Sequence, residues 1–136
     1  MDITRAVSFL SSHPRAVLAT TRADGRPQLS PVVVAVDDDG RALISTRETA
    51  IKAKNLARDP RAYLCVLSDT FFGEWIQAEG SAELIYLPDA MPILEDYYRR
   101  LSGEHPDWSD YREAMRRERR LIVRMTISRA GPDVSG

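Results

Sequence analysis

Gln28 and Ser30 stand two residues apart just behind the turn Asp24-Gly25-Arg26-Pro27. Further on, Ser45, Thr46 and Arg47 run into the basic stretch Ala50-Ile51-Lys52-Ala53-Lys54-Asn55. In an extended strand residues i and i+2 share a face, so Gln28 and Ser30 present an amide and a hydroxyl side by side. Such a pair offers donors and an acceptor to the edge of a pyrimidine-like ring and to a hydroxylated linker. Hydroxyls at a strand end, followed by a lysine in the first turn of a helix, supply cations and free N–H groups for a phosphate. Together they are the inventory of a flavin-type nucleotide site. Each part also has a plainer reading: a polar patch at a barrel rim for Gln28 and Ser30, and solvated charges for Arg47, Lys52 and Lys54. Lys52 opposes the dipole of the helix it opens, a placement that points to an anion nearby. Trp75 lies on the otherwise polar strand face of Gln77, Glu79 and Ser81. It reads either as a subunit-interface anchor or as the wall of a ligand pocket.

Other chemistries are poorly served. The two histidines, His13 and His105, are far apart and each precedes a proline, so neither a two-histidine metal site nor a Ser-His-Asp triad is expected. No catalytic side chain and no metal ligand is assigned. Cys65 sits in the apolar run Tyr63-Leu64-Cys65-Val66-Leu67 and reads as an inert thiol. Asp37–Asp39 and Glu95-Asp96 fall in turns or on solvated helix faces. The run Arg116-Arg117-Glu118-Arg119-Arg120 is either a solvated helix end or a clamp for an anionic tail or substrate.

These groups must be positioned by the elements between them. Ile3, Val7 and Leu10 mark an amphipathic helix behind an Asp2 cap. Strands are predicted over Ala16–Thr21, Pro27–Val36 and Arg41–Thr46, joined by hairpin turns at Asp24-Gly25 and Asp37–Gly40. Pro31 implies an edge, a bulge or a ligand-facing break in the second strand. Thr49 can cap a helix over Ala50–Arg58. Strands follow over Arg61–Ser68 and Glu74–Tyr86. Pro88 opens a helix carrying Met91, Leu94, Tyr98 and Leu101, and a further helix carries Trp108, Tyr111 and Met115. A last strand spans Arg120–Ser128, and residues 129–136 read as a flexible tail. Six strands linked by short hairpins argue for a closed or nearly closed antiparallel barrel, mostly β with inserted helices. No Gly-x-Gly-x-x-Gly run supports a dinucleotide fold.

The 136 residues make one domain, 1–136, with 43% hydrophobic and 29% charged side chains. A net charge of −1, from 19 basic and 20 acidic residues, argues against nucleic acid or an anionic membrane as a partner. No apolar run approaches the ~20 residues of a membrane span, and the N-terminus lacks a signal pattern. The chain reads as cytoplasmic.

In order and spacing, Val17-Leu-Ala-Thr20, Asp24-Gly-Arg-Pro-Gln-Leu-Ser30, Lys52-Ala-Lys-Asn-Leu-Ala-Arg-Asp-Pro60, Ala78-Glu-Gly-Ser-Ala82 and Gly103-Glu-His-Pro-Asp-Trp-Ser-Asp-Tyr111 resemble the pyridoxamine 5′-phosphate oxidase-like split-barrel superfamily. The likeness is strongest to coenzyme F420-dependent oxidoreductases of the flavin/deazaflavin class B type. It implies a six-stranded, FMN-binding-type split β-barrel, assembled as a homodimer with two cofactor sites at the interface. It places Gln28 and Ser30 near the ring and ribityl chain, and Ser45, Thr46, Arg47, Lys52 and Asn55 around the phosphate. The implied reaction is hydride transfer from reduced coenzyme F420 to a small conjugated organic acceptor. The alternatives are an FMN-dependent enzyme and a non-catalytic flavin- or deazaflavin-binding protein. The chain departs from the pattern at Pro31, where relatives often carry Asn, and at Ala50, where they often carry Arg. Arg47 is then the substitute cation.

Overall fold

A computed structural model describes residues 1–133. Helix α1 (Ile3–Ser12) begins on Asp2, whose carboxylate accepts from the Thr4 amide at 3.0 Å. Strands β1 (Arg15–Thr21) and β2 (Pro27–Val33) form the first hairpin. Its turn needs Gly25 at φ +89°, in the left-handed region. β3 (Ala35–Val36) and β4 (Ala42–Arg47) form the second hairpin, α2 spans Ile51–Arg58, and β5 (Arg61–Leu67) pairs with β6 (Trp75–Ile85). Helices α3 (Met91–Ser102) and α4 (Trp108–Arg117) precede β7 (Arg120–Gly131). No helix among the described residues is long and apolar enough to cross a membrane.

One antiparallel sheet of seven strands runs in the order β2-β1-β5-β6-β7-β4-β3. Its two edge strands are consecutive in the chain and meet at Val34, which is buried and donates its amide to the Pro14 carbonyl at 2.7 Å. The expected single strand Pro27–Val36 is therefore two. The backbone leaves β1 after Val33 and joins β4 from Ala35, and this switch curls the sheet into a split barrel. Pro31 is accommodated because β2 is an edge, paired only with β1.

Alternation decides what lies inside. Leu18, Ile44, Leu64, Val66, Ile76, Val123 and Met125 fill the barrel with Ala6 and Leu10 of α1 and Ala53 and Leu56 of α2. At the bulge between Glu79 and Gly80, β7 comes so close that a Cβ on Gly80 would lie 1.9 Å from the Thr126 carbonyl oxygen. A second cluster joins Leu94 of α3 and Tyr111 of α4 to Ala35, Leu43 and Ile122 on the outer face of β3-β4-β7. The opposite outer face, over β2-β1-β5-β6, is open: Leu29, Val33 and Trp75 are 64%, 47% and 37% exposed, with Arg15, Arg61, Gln77 and Ser81 exposed beside them.

Several boundaries differ from expectation. The helix expected from Pro88 starts at Met91, with Pro92 in its first turn. Thr49 does not cap α2: the N-cap is Ala50, which makes no side-chain cap bond. Of the expected tail, Arg129–Gly131 belong to β7, where Ala130 and Gly131 pair with Ala78 and Gln77. Asp133 makes an ion pair with the amino terminus. The rest of that tail, 134–136, lies outside the described residues.

Candidate functional site

The edge strand β2, the end of β4 and the start of α2 converge on a groove of about 580 Å³. Ser45 and Thr46 line it from β4, Lys52 from α2, and Arg15, Ala16 and Val17 from β1. Pro31, Val32 and Val33 line it from β2, with Leu67, Tyr97 and Arg120 completing the wall. Three cations and no carboxylate line it, in a chain whose net charge is −1. The Ser45 and Thr46 hydroxyls make no hydrogen bond within the described residues, and no buried side-chain polar atom lacks a partner. Ser45 is half-buried and Thr46 is 5% exposed.

Lys52 projects from the first turn of α2, and its Nζ donates to Ser30 Oγ at 3.1 Å. Among the described residues it has no carboxylate partner, whereas most arginines of the chain are ion-paired. Because Ala50 cannot cap, the amides of Ile51, Lys52 and Ala53 also lack an acceptor among the described residues. Uncapped N–H groups and an ammonium on a hydroxyl form a donor set suited to a phosphate.

A buried relay fixes Gln28. Arg58, which can only donate, reaches Asn55 Oδ1 at 3.1 Å, so Asn55 turns its Nδ2 to Thr20 Oγ1 at 3.0 Å. Thr20 then gives its own hydrogen to Gln28 Oε1 at 3.3 Å. The Gln28 carbonyl is thereby occupied, and its NH2 group, on the strand face that Ser30 shares, makes no hydrogen bond among the described residues. Asn55, buried at 4% exposure, serves this relay rather than the groove.

Of the residues singled out from sequence, Ser30, Ser45, Thr46 and Lys52 come together, with Gln28 adjoining. Arg47 lies beside the groove and not in its wall. It is 57% exposed and binds Glu118 at 3.1 Å. Arg120 binds the same carboxylate oxygen at 2.9 Å, and these two guanidiniums, Arg120 first, hold the Glu118 carboxyl below the usual range. Trp75 stands apart, in a separate cavity of about 250 Å³ with Gln77, Glu79 and Arg129.

Arg15 and Tyr97 were not singled out as site residues from sequence, and Arg120 was named only within the charged run Arg116–Arg120. Arg120 enters only through the pairing of β4 with β7, which sets it opposite Arg47. Tyr97 lies one helical step from Leu94, and its hydroxyl donates to the Val33 carbonyl at 2.8 Å. Burial pushes the Tyr97 hydroxyl above its ordinary value, against the Ser45 amide and the Arg120 charge, so it is a neutral donor. Helical periodicity was the available signal for Tyr97; nothing local marks Arg15.

A family model described as pyridoxamine 5′-phosphate oxidase matches residues 4–131. A conserved hypothetical protein of Mycobacterium tuberculosis is 26% identical, with 100% of this chain and 92% of that chain covered and a TM-score of 0.75. A structure described as an F420 reductase is 21% identical, covering 91% of this chain and 94% of that one at a TM-score of 0.67. The heme storage protein HutZ of Vibrio cholerae is 14% identical, covering 96% and 94% at a TM-score of 0.72. At 21% and 14%, the last two likenesses concern the fold alone.

Proposed function

The chain belongs to the pyridoxamine 5′-phosphate oxidase family, and on that premise we propose that it is a flavin- or deazaflavin-dependent oxidoreductase that uses coenzyme F420 to reduce a small conjugated acceptor. The observation that carries this reading is Lys52, without a carboxylate partner among the described residues and resting on Ser30, at a groove that Ser45 and Thr46 also line. The groove's volume of about 580 Å³ falls within the ~300–1,000 Å³ of typical small-molecule sites.

The residues fit the group. Lys52, Ser45, Thr46 and the uncapped amides of α2 would hold the phosphate, Ser30 the hydroxylated chain, and the free NH2 of Gln28 a ring carbonyl. When bound, a reduced deazaflavin supplies two electrons as a hydride, so the chain needs neither a nucleophile nor a metal. Its own residues bind, orient and exclude water: Val17, Val32 and Leu67 give the groove apolar walls. The Thr20–Asn55–Arg58 relay keeps Gln28 from turning.

A homodimer completes the proposal. The open outer face of β2-β1-β5-β6 shares Val17, Val33 and Leu67 with the groove. A second copy seated there would wall the groove and cover Trp75. FMN is the rival cofactor, and the heme storage protein with the same fold keeps a non-catalytic carrier in view. Titration of the purified protein with coenzyme F420 and with FMN, followed by cofactor fluorescence, decides among them. Tighter binding of F420 is expected. FMN binding as tight or tighter at moderate salt overturns the F420 assignment, and binding of neither overturns the family of readings.

A further inference from the structure

We propose that Arg15 forms an anion subsite at the outer side of this groove, which takes the carboxylate of an apolar, conjugated organic acid; the inference rests on the cofactor reading above and names the substrate class of the same site. Arg15 opens β1, is exposed, and makes neither an ion pair nor a side-chain hydrogen bond among the described residues. The other groove cations are engaged differently, Arg120 by Glu118 and Lys52 by Ser30.

Arg15 and Lys52 also enter from different sides. Arg15 is in register with Val33, and Leu18 with Ser30, a separation of three strand positions or about 10 Å. Burial alternates along both strands, so Arg15 and Val33 face outward while Ser30 and Val32 face inward. A phosphate seated on Lys52 and Ser30 therefore leaves Arg15 unused. Its guanidinium fork matches a carboxylate in bidentate geometry. The surface next to it is apolar, formed by Val17, Val33 and Leu67, and suits a flat conjugated body better than a second phosphate.

Cinnamate and its uncharged analogue cinnamamide serve as probes, titrated calorimetrically into the cofactor-saturated protein, its Arg15→Gln and Arg15→Lys variants, and the cofactor-free protein. Cinnamate is expected to bind the wild type more tightly than cinnamamide. Arg15→Gln should weaken cinnamate by about tenfold or more, Arg15→Lys by less, and cinnamamide should not respond. Cofactor affinity and sedimentation of Arg15→Gln should match the wild type. Equal binding of the two probes, or binding of neither, overturns the subsite. Loss of cofactor affinity in Arg15→Gln assigns Arg15 to the cofactor instead, and dissociation to monomers assigns it to the interface; either result overturns the proposal. If neither F420 nor FMN binds, yet cinnamate binds the cofactor-free protein through Arg15, the cofactor reading fails while the subsite stands.

Discussion

Replacing Lys52 with alanine isolates the charge on which the cofactor reading depends. In the free protein its Nζ lies 3.1 Å from Ser30 Oγ, a half-exposed hydroxyl that water can serve once the ammonium is gone. Alanine is also a slightly better helix former than lysine, so the apo-protein should lose almost nothing, with a melting shift under about 2 °C. A charge-assisted hydrogen bond to a phosphate oxygen is worth roughly 1.5–3 kcal/mol. The dissociation constant should therefore rise about 10- to 150-fold. Salt supplies an independent arm: wild-type affinity should fall with ionic strength, and the variant should respond less. Fluorescence titration of both proteins at low and moderate salt, alongside thermal melts, measures all three quantities. Unchanged affinity would return Lys52 to the status of an ordinary surface charge, and a large melting shift would make any loss of binding uninformative about phosphate contact.

Asn55→Ala should behave in the opposite way, costing about 1–3 kcal/mol of stability by leaving the buried Thr20 hydroxyl without its donor, with a smaller effect on cofactor affinity than Lys52→Ala. A collapse of affinity at unchanged melting temperature would instead place Asn55 on the ligand. Burial pushes the Tyr111 hydroxyl from 10.0 to about 12, with Tyr97 and Glu95 adding to the shift. The folded state thus holds this proton more tightly than the unfolded chain, and its stabilising contribution is full below about pH 10 and lost as the pH rises towards 12. Tyr111→Phe should flatten denaturant stability across that window; an unchanged slope would refute the assignment. Sedimentation should show a dimer burying at least about 2,000 Å² in total, with cofactor affinity lost on dilution to monomer. A monomer with full affinity would refute the shared site.

What was legible in the sequence was what is local. The Asp2 cap, the Asp24-Gly25 and Asp37–Gly40 turns, and the alternation of Ile76, Ala78 and Ala82 are each written within a few residues, and each is present. Lys52 and Ser30 were separately visible, but their contact spans 22 positions and depends on where α2 crosses the end of the barrel. The break at Val34 was not visible, because Pro27–Val36 has strand character throughout. Only the change of partner from β1 to β4 divides it. Asn55 shows the converse limit: its type and place beside Lys52 suggest a ligand contact, and only the third dimension reveals Arg58 and Thr20 on its two ends.

The groove lies where these long-range decisions meet. A barrel closed by strands of one chain has a seam where its first and last strands come together, here between β2 and the β3–β4 hairpin. Backbone pairing is incomplete at that seam, so side chains and water must satisfy what the sheet does not. Helices α3 and α4 cover the outer face on one side of it and leave the other side open, with Leu29, Val33 and Trp75 exposed there. Exposed Leu29, Val33 and Trp75 beside a cationic groove are what the proposed dimer would cover, and an anion would answer the groove's cations. The proposed dimer would tie cofactor binding to assembly, because Val17, Val33 and Leu67 would serve both surfaces: a substitution such as Leu67→Asp should weaken the dimer and the cofactor complex together, whereas Lys52→Ala should weaken only the latter.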